Sequence, residues 1–309
     1  MAKRSAGVVA IGDIHGDLDA LLRIVSGLNL VDGDGRWCGG LTGVVFMGDL
    51  NDRGSESVNV THFVMDLQRD AADHGAEVVA LLGNHEMLAA AGDYRYIRAV
   101  EVLEFEHWWY DDVNGLDAVF RGNSPYAQWL RGRPTVHQID GTLFVHAGLG
   151  AWALTHSALS LNRLMSAWVA HFQGTADSPD ESTYRLTQDE EGSPIWSKRL
   201  LIGRPSIADG HSDLMAQVLD AYGAKRLVVG HCSTTSIDYR IGHPHPEFGE
   251  RVAAIDTGIS RAYGGRLSAL EINGDMLLPR YFERGDGDLA LTERVRDRCA
   301  ERRSAMTAV

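Results

Sequence analysis

The chain has 309 residues, 44% hydrophobic and 23% charged, which supplies a full core and excludes disordered, collagenous and coiled-coil classes. Lys and Arg number 29 against 42 Asp and Glu, and the formal charge of −13 excludes a broad nucleic-acid or anionic-lipid surface; an anion that binds must meet a local cluster of cations, such as metal ions. Three cysteines without C-x-x-C spacing give neither a disulfide framework nor a structural zinc site, the apolar run after the basic start ends at Gly12-Asp13, too short for a signal peptide, and no stretch reaches membrane-spanning length, so a cytoplasmic protein is expected.

Seven short apolar runs, at 7–11, 43–47, 77–82, 142–145, 226–229, 251–255 and 266–272, are rich in β-branched residues and read as buried strands. Amphipathic helices lie between several of them. Leu18, Leu21, Leu22, Val25 and Leu28 make one apolar stripe with Asp17 as its cap, and Leu214, Met215, Val218, Leu219 and Tyr222 make another, stopped by Gly223. Residues 87–133 read as helical and aromatic, with Trp108, Trp109, Tyr110 and Trp129; residues 151–172 read as helical, and 174–194 as a polar, exposed loop. From about 285 the many charges around Leu289, Leu291 and Val295 predict a short helix or frayed tail. Strands alternating with helices indicate an α/β architecture.

The residues just beyond the strands carry the chemistry. Ile11 is followed by Gly12-Asp13-Ile14-His15-Gly16-Asp17, Met47 by Gly48-Asp49-Leu50-Asn51-Asp52-Arg53-Gly54, Leu82 by Gly83-Asn84-His85-Glu86, Val145 by His146-Ala147-Gly148, and Val229 by Gly230-His231. Ligands collect at the carboxyl ends of strands in open α/β sheets, so these side chains are expected to converge. Asp13, His15, Asp49, Asn84, His146 and His231 make a donor set sufficient for two metals. With Asp49 bridging, one ion takes Asp13, His15 and Asp49 and the other takes Asp49, Asn84, His146 and His231. Nitrogen and oxygen donors without thiolate suit manganese, iron or zinc and argue against copper(I) or an iron–sulfur cluster. Taken singly, each motif is compatible with a polar turn or a buried histidine; five in the same strand-end context are not.

The ordered set Gly-Asp-Ile-His-Gly, Gly-Asp-Leu-Asn-Asp-Arg-Gly, Gly-Asn-His-Glu, His-Ala-Gly and Gly-His resembles the phosphoprotein phosphatase (PPP) family of the calcineurin-like metallophosphoesterases. Gly92-Asp93-Tyr94-Arg95-Tyr96 after Gly-Asn-His-Glu-Met, and Asp256-Thr257-Gly258 before Arg261-Ala262-Tyr263-Gly264-Gly265, are similar to the bacterial-type branch known as Shewanella-like protein phosphatases. The resemblance implies an αββα sandwich of two mixed sheets flanked by helices, with two divalent or trivalent metal ions at one end, manganese first and iron or zinc as alternatives. It implies a catalytic domain over 1–285, with a helical insertion near the active site at about 87–133, a helix and loop insertion at about 151–211, and a charged C-terminal helix or tail at 286–309. It assigns the catalytic histidine to His85, the aspartate that orients it to Asp52, and a phosphate-clamping arginine to Arg53. A second phosphate-binding cation falls on Lys198 or Arg199, with Arg199 preferred.

The expected activity is hydrolysis of phosphomonoesters by a dimetal-bound hydroxide, with His85 protonating the leaving alkoxide and Arg53 pairing bidentately with phosphate oxygens. The expected partner is a phosphorylated substrate, either a phosphoprotein or a small phosphomonoester, with no nucleic acid and no membrane. The rivals are a diadenosine polyphosphate hydrolase, a small-molecule phosphatase and a non-catalytic metal-binding scaffold. Two departures from the family pattern stand out: Asn51 before Asp-Arg-Gly, where an apolar residue is usual, and Ala147 in place of the commoner glycine. Asp32-Gly33-Asp34-Gly35 reads as a turn, His243-Pro244-His245-Pro246 as an exposed loop, and Cys232 as a buried thiol.

Overall fold

The computed structural model describes residues 7–198, 211–234, 251–285 and 289–307; Arg199 and the histidine–proline stretch at 243–246 lie outside them. The first sheet contains β1 (Val8–Ile11), β2 (Gly43–Phe46), β3 (Val78–Ala80), β10 (Leu267–Asn273) and β11 (Met276–Phe282), in the order β11-β10-β1-β2-β3. The second contains β6 (Val136–Ile139), β7 (Thr142–Val145), β8 (Arg226–Val229) and β9 (Val252–Ala254), in that order. Three parallel strands sit together in each, β1-β2-β3 and β7-β8-β9, and antiparallel strands complete both sheets.

The period-two alternation of side chains explains why the central runs are apolar throughout. Val8, Ala10, Val45, Met47, Phe144, Val228 and Ala253 pack between the two sheets. Their neighbours Val9, Ile11, Val44 and Phe46 point the other way, into a core shared with α1 (Leu18–Gly27), α2 (Ser57–Asp73) and the C-terminal helix. Leu143, Val145, Leu227 and Val229 point outward from the second sheet, into a core with α6 (Pro125–Arg131), α7 (Ala158–Phe172) and α8 (His211–Ala221). Strands covered on both faces have no polar side to display. The structure is the αββα sandwich expected from the resemblance. Asp17 caps α1 as read, accepting from the Ala20 N–H at 3.1 Å.

Several elements differ from the sequence reading. Residues 108–110 are not helical: β4 (Trp109–Tyr110) pairs with β5 (Val113–Asn114), joined by Asp111 and Asp112, both in left-handed backbone with φ of 47° and 62°. Aspartate tolerates that conformation, which a two-residue hairpin turn of this hand requires. The surrounding insertion is helical, with α3 (Asn84–Ala90), α4 (Ala99–Phe105), α5 (Gly115–Phe120) and α6. The 174–194 segment is not simply exposed, because a 3₁₀ turn over Glu181–Thr187 buries Leu186 and Thr187, and Ser193 is buried beyond it. At the other end of the chain, α9 (Leu289–Thr307) buries Leu291, Val295 and Cys299 beside α1 and α2. Arg296 on Glu56 and Arg303 on Glu104 tie the same helix to α2 and α4.

Candidate active site

Strand ends bring the predicted residues together. Asp13 and His15 follow β1, Asp49 follows β2, Asn84 follows β3, His146 follows β7 and His231 follows β8. Each loop is short, so its backbone bends sharply, and His15, Asp49, Asp52, Arg53 and His231 all adopt left-handed φ between 47° and 70°. Such conformations persist where the surroundings over-determine them. Here the Ile14 and His15 N–H groups both donate to the Asp49 carbonyl, at 3.1 and 2.9 Å, lashing the first loop to the second. The glycines before the ligands answer to crowding. A Cβ on Gly83 would lie 2.2 Å from an Asp49 oxygen, and one on Gly230 would lie 2.4 Å from an Asp13 oxygen.

Asp49 is central. Its carboxylate lies 3.4 Å from His146 Nε2, 3.8 Å from His15 Nε2 and 3.9 Å from His85 Nε2. Ligand atoms gather within 4.8 Å of one another in two groups, His15, Asp49 and His85 in one and Asp49, His146 and His231 in the other, with Asp13 in neither. Asn84 Oδ1 sits 2.9 Å from both His146 Nε2 and His231 Nδ1. The Asp13 carboxylate takes the His231 backbone N–H, at 3.0 and 3.2 Å to its two oxygens.

Backbone carbonyls set the imidazole tautomers. His15 Nδ1 donates to the Asn51 carbonyl at 3.1 Å and His146 Nδ1 to the Met47 carbonyl at 2.8 Å, which leaves each Nε2 lone pair facing the centre. Burial, with His85 and His146 adding to it, holds His15 down at about 3 against the pull of Asp49, and burial with His146 does the same to His231, so both are neutral. Burial pushes Asp13 well up, reinforced by Asp256 and Asp49. Asp49 moves the other way: burial acts to raise it, but His146, His85 and His15 outweigh burial.

The residues fit divalent cations. His231 Nε2 is buried without a hydrogen-bond partner among the described residues, and the buried carboxyls of Asp13, Asp49 and Asp256 crowd one another in a way that bound cations would balance.

His85 and Asp52 form a close pair, with 2.5 Å between His85 Nδ1 and Asp52 Oδ2. Burial acts to lower His85, but Asp49 and Asp52 outweigh it and raise the imidazole. Arg53 lies with its guanidinium 4.0 Å from the centre of the Tyr96 ring, and its buried Nε has no hydrogen-bond partner among the described residues. Asn51 is buried and useful where it stands, donating to the His85 carbonyl at 3.3 Å. Lys198 is ion-paired with Glu190.

Four neighbours had no role in the sequence reading. Glu86 accepts three backbone N–H bonds, from Asp49 and Leu50 at 2.8 Å and Gly83 at 2.9 Å, and thereby ties the second and third loops. It is the third helical residue of α3 and closes half of a capping box, a pattern visible in Gly-Asn-His-Glu. Asp256 follows β9, and burial, with Asp49 adding to it, pushes its carboxyl up to about 6. The rings of Tyr263 and Tyr96 stand 5.1 Å from His15 and 5.2 Å from His85.

Comparison with known proteins identifies the family. A Shewanella-like protein phosphatase 2 of Arabidopsis thaliana is 30% identical over 56% of this chain, which spans about half, 54%, of that relative's length. A symmetrical bis(5'-nucleosyl)-tetraphosphatase of Methylobacillus flagellatus is 31% identical over 91% of this chain and 98% of its own. The crystal structure of a cold-active protein-tyrosine phosphatase of a psychrophilic Shewanella species superposes with a TM-score of 0.68 at 23% identity, covering 90% of this chain and 81% of that one, and shares the fold. The model of the calcineurin-like phosphoesterases matches residues 7–232, and the chain belongs to that family.

Proposed function

We propose that the chain is a dinuclear metal-dependent phosphatase that hydrolyses phosphomonoesters in the manner of serine/threonine phosphoprotein phosphatases. The observation that carries this reading is the 2.5 Å Asp52–His85 pair set beside the Asp49 carboxylate, which His15, His85 and His146 all approach within 3.9 Å. Asp13, His15 and Asp49 would hold one ion and Asp49, Asn84, His146 and His231 the other, with manganese the first candidate. The bound ions would acidify the attacking water and neutralise the phosphoryl oxygens.

The protein's own groups do the rest. Asp52 fixes His85 Nδ1, so that Nε2 faces the centre and its proton is available to a departing alkoxide. Arg53, over the Tyr96 ring and with its Nε unpartnered among the described residues, offers a guanidinium to two phosphoryl oxygens, a fork that lysine does not reproduce. Lys198, engaged by Glu190, is a weaker candidate for a second phosphate contact than Arg199.

A second reading has a specific basis. The near-full-length match to a symmetrical tetraphosphatase supports a dinucleoside polyphosphate hydrolase using the same residues. Turnover by the manganese-loaded protein of phosphoserine and phosphothreonine peptides, small phosphorylated metabolites and diadenosine tetraphosphate separates the readings. The highest kcat/KM on the phosphopeptides supports the first. Highest kcat/KM on the dinucleotide refutes it.

A further inference from the structure

The loop carrying Asp52 and Arg53 holds two consecutive residues in left-handed backbone, with φ of 70° and 66°. Two residues without glycine's freedom keep that shape only if something fastens them. Two of the fastenings, through Glu101 and Tyr96, come from the helical insertion.

Ser57, the first residue of α2, accepts the Asp52 N–H on its Oγ at 3.0 Å. The same hydroxyl donates to Glu101 Oε2 at 2.6 Å, and the other Glu101 oxygen accepts the Ser57 N–H. Glu101 stands on α4, 44 residues away, and is 1% exposed. A hydroxyl has one proton, and Glu101 claims it. A lone pair of Ser57 Oγ therefore faces the Asp52 N–H without competition. Tyr96, just before α4, adds a second tie, because its carbonyl accepts the Arg53 N–H at 3.0 Å.

A carboxyl buried this deeply is costly unless engaged, and both oxygens of Glu101 reach Ser57, with the Val58 N–H adding a further backbone bond. Capping α2 explains the bond to the Ser57 N–H, since Glu56, which precedes it, makes no side-chain capping bond. Capping does not require the second bond, through the hydroxyl, whose other partner is the aspartate that orients His85.

We propose that Glu101 is a positioning residue for the reaction: acting through Ser57, it locks the Asp52 loop so that the carboxylate meets His85 Nδ1. This rests on the reading of His85 as the proton donor to the leaving group. Loss of Glu101 frees the Ser57 hydroxyl to rotate and the loop relaxes at Asp52, while the Arg53 N–H keeps its tie to the Tyr96 carbonyl, so proton delivery suffers and the phosphate contact is held.

The test uses Glu101→Gln, Glu101→Ala and Ser57→Ala in the full chain, with circular dichroism confirming the fold. Two substrates differ in their need for an acid: p-nitrophenyl phosphate, whose phenolate leaves unaided, and a phosphoserine peptide, whose alkoxide does not. Expected is a fall in kcat on the peptide of about tenfold or more in Glu101→Ala and Ser57→Ala, with KM unchanged and p-nitrophenyl phosphate turnover within about threefold of wild type. Proton NMR gives a readout independent of turnover. The downfield resonance of the Asp52-bound imidazole proton, assigned by its loss in His85→Gln, should broaden or vanish in the variants. Equal losses on both substrates, or a downfield resonance unchanged in folded Glu101→Ala and Ser57→Ala, would show that Glu101 only caps a helix. If wild type hydrolyses neither substrate, the phosphomonoesterase reading falls, and the resonance alone decides whether Glu101 orders the pair.

Discussion

Replacing Glu86 with glutamine removes charge and one acceptor while keeping shape. One oxygen of Glu86 serves the Asp49 and Gly83 N–H groups and the other serves Leu50. If the amide oxygen of Glu86→Gln keeps the first pair, its NH₂ group must face the Leu50 N–H, and a buried donor loses its partner. A bond to a charged acceptor contributes about 1.5–3 kcal/mol and a stranded buried donor costs about 1–3 kcal/mol, terms that overlap, so a net loss of about 2–4 kcal/mol is expected. At about 2 °C per kcal/mol for a chain of this size, Tm should fall by about 4–8 °C. The carboxyl itself is pushed up to about 7 by burial and then by Asp49, so the comparison belongs near pH 8 with manganese saturating, where glutamate is the charged acceptor the three donors require. The same loss should loosen Asp49, and metal affinity should drop about 10–100-fold, as for other groups that orient ligands. Calorimetric melting and competitive metal titration measure the two effects. A variant melting within 1 °C of wild type, with metal affinity unchanged, would refute the assignment of loop order to these three bonds.

His62 is fully buried on α2 and bonded to the Tyr126 hydroxyl at 2.9 Å; burial, with Arg302, Arg303, Arg69 and Arg298 adding to it, holds it down at about 3. A lowered folded pKa contributes stability that is complete above the unfolded value of about 6.5 and is lost as pH falls, so about 2 kcal/mol should disappear between pH 7.5 and 5. Urea titrations across that range should show a flatter pH dependence for His62→Asn; equal slopes would contradict it. A Cβ at Gly54 would lie 2.4 Å from the carbonyl oxygens of His15 and Gly16, so Gly54→Ala should drive the Asp52 loop off its neighbour and reduce kcat about 100-fold, and wild-type turnover of a phosphoserine peptide would count against this. Leu291→Ala beneath α9 should cost about 2–5 kcal/mol in denaturant while leaving kcat at 25 °C intact, because the helix packs on α1 and α2 and supplies none of the proposed site.

What the sequence disclosed depended on whether a residue's role is written in its neighbours. Strands buried on both faces appear as unbroken apolar runs, which is why β1, β2, β7 and β8 were legible. The edge strand β11 alternates exposed and half-buried positions, and β6 contains two polar residues among four, so neither makes such a run. Glycine followed by a donor at a strand end located Asp13, Asp49, Asn84 and His231. Asp256 also lies just beyond a strand, β9, but follows Ile255 with no glycine before it, and so escaped that pattern. Glu101 left no local trace, because its partner is 44 positions away and α4 looks like any short helix. The aromatic run at 108–110 misled because its turn chemistry resides in the two following aspartates.

The proposed donors come from both halves of the sandwich: Asp13, Asp49 and Asn84 extend from one sheet, His146 and His231 from the other. The first proposed ion would draw Asp13, His15 and Asp49 from one sheet, whereas the second would draw Asp49 and Asn84 from that sheet and His146 and His231 from the other. The second ion would therefore act as a rivet through two plates, its binding energy gained only after the layers have closed, and its release would gauge that closure. Truncating Val8 or Ala253, wedged between the plates, should therefore register first as leakage of metal.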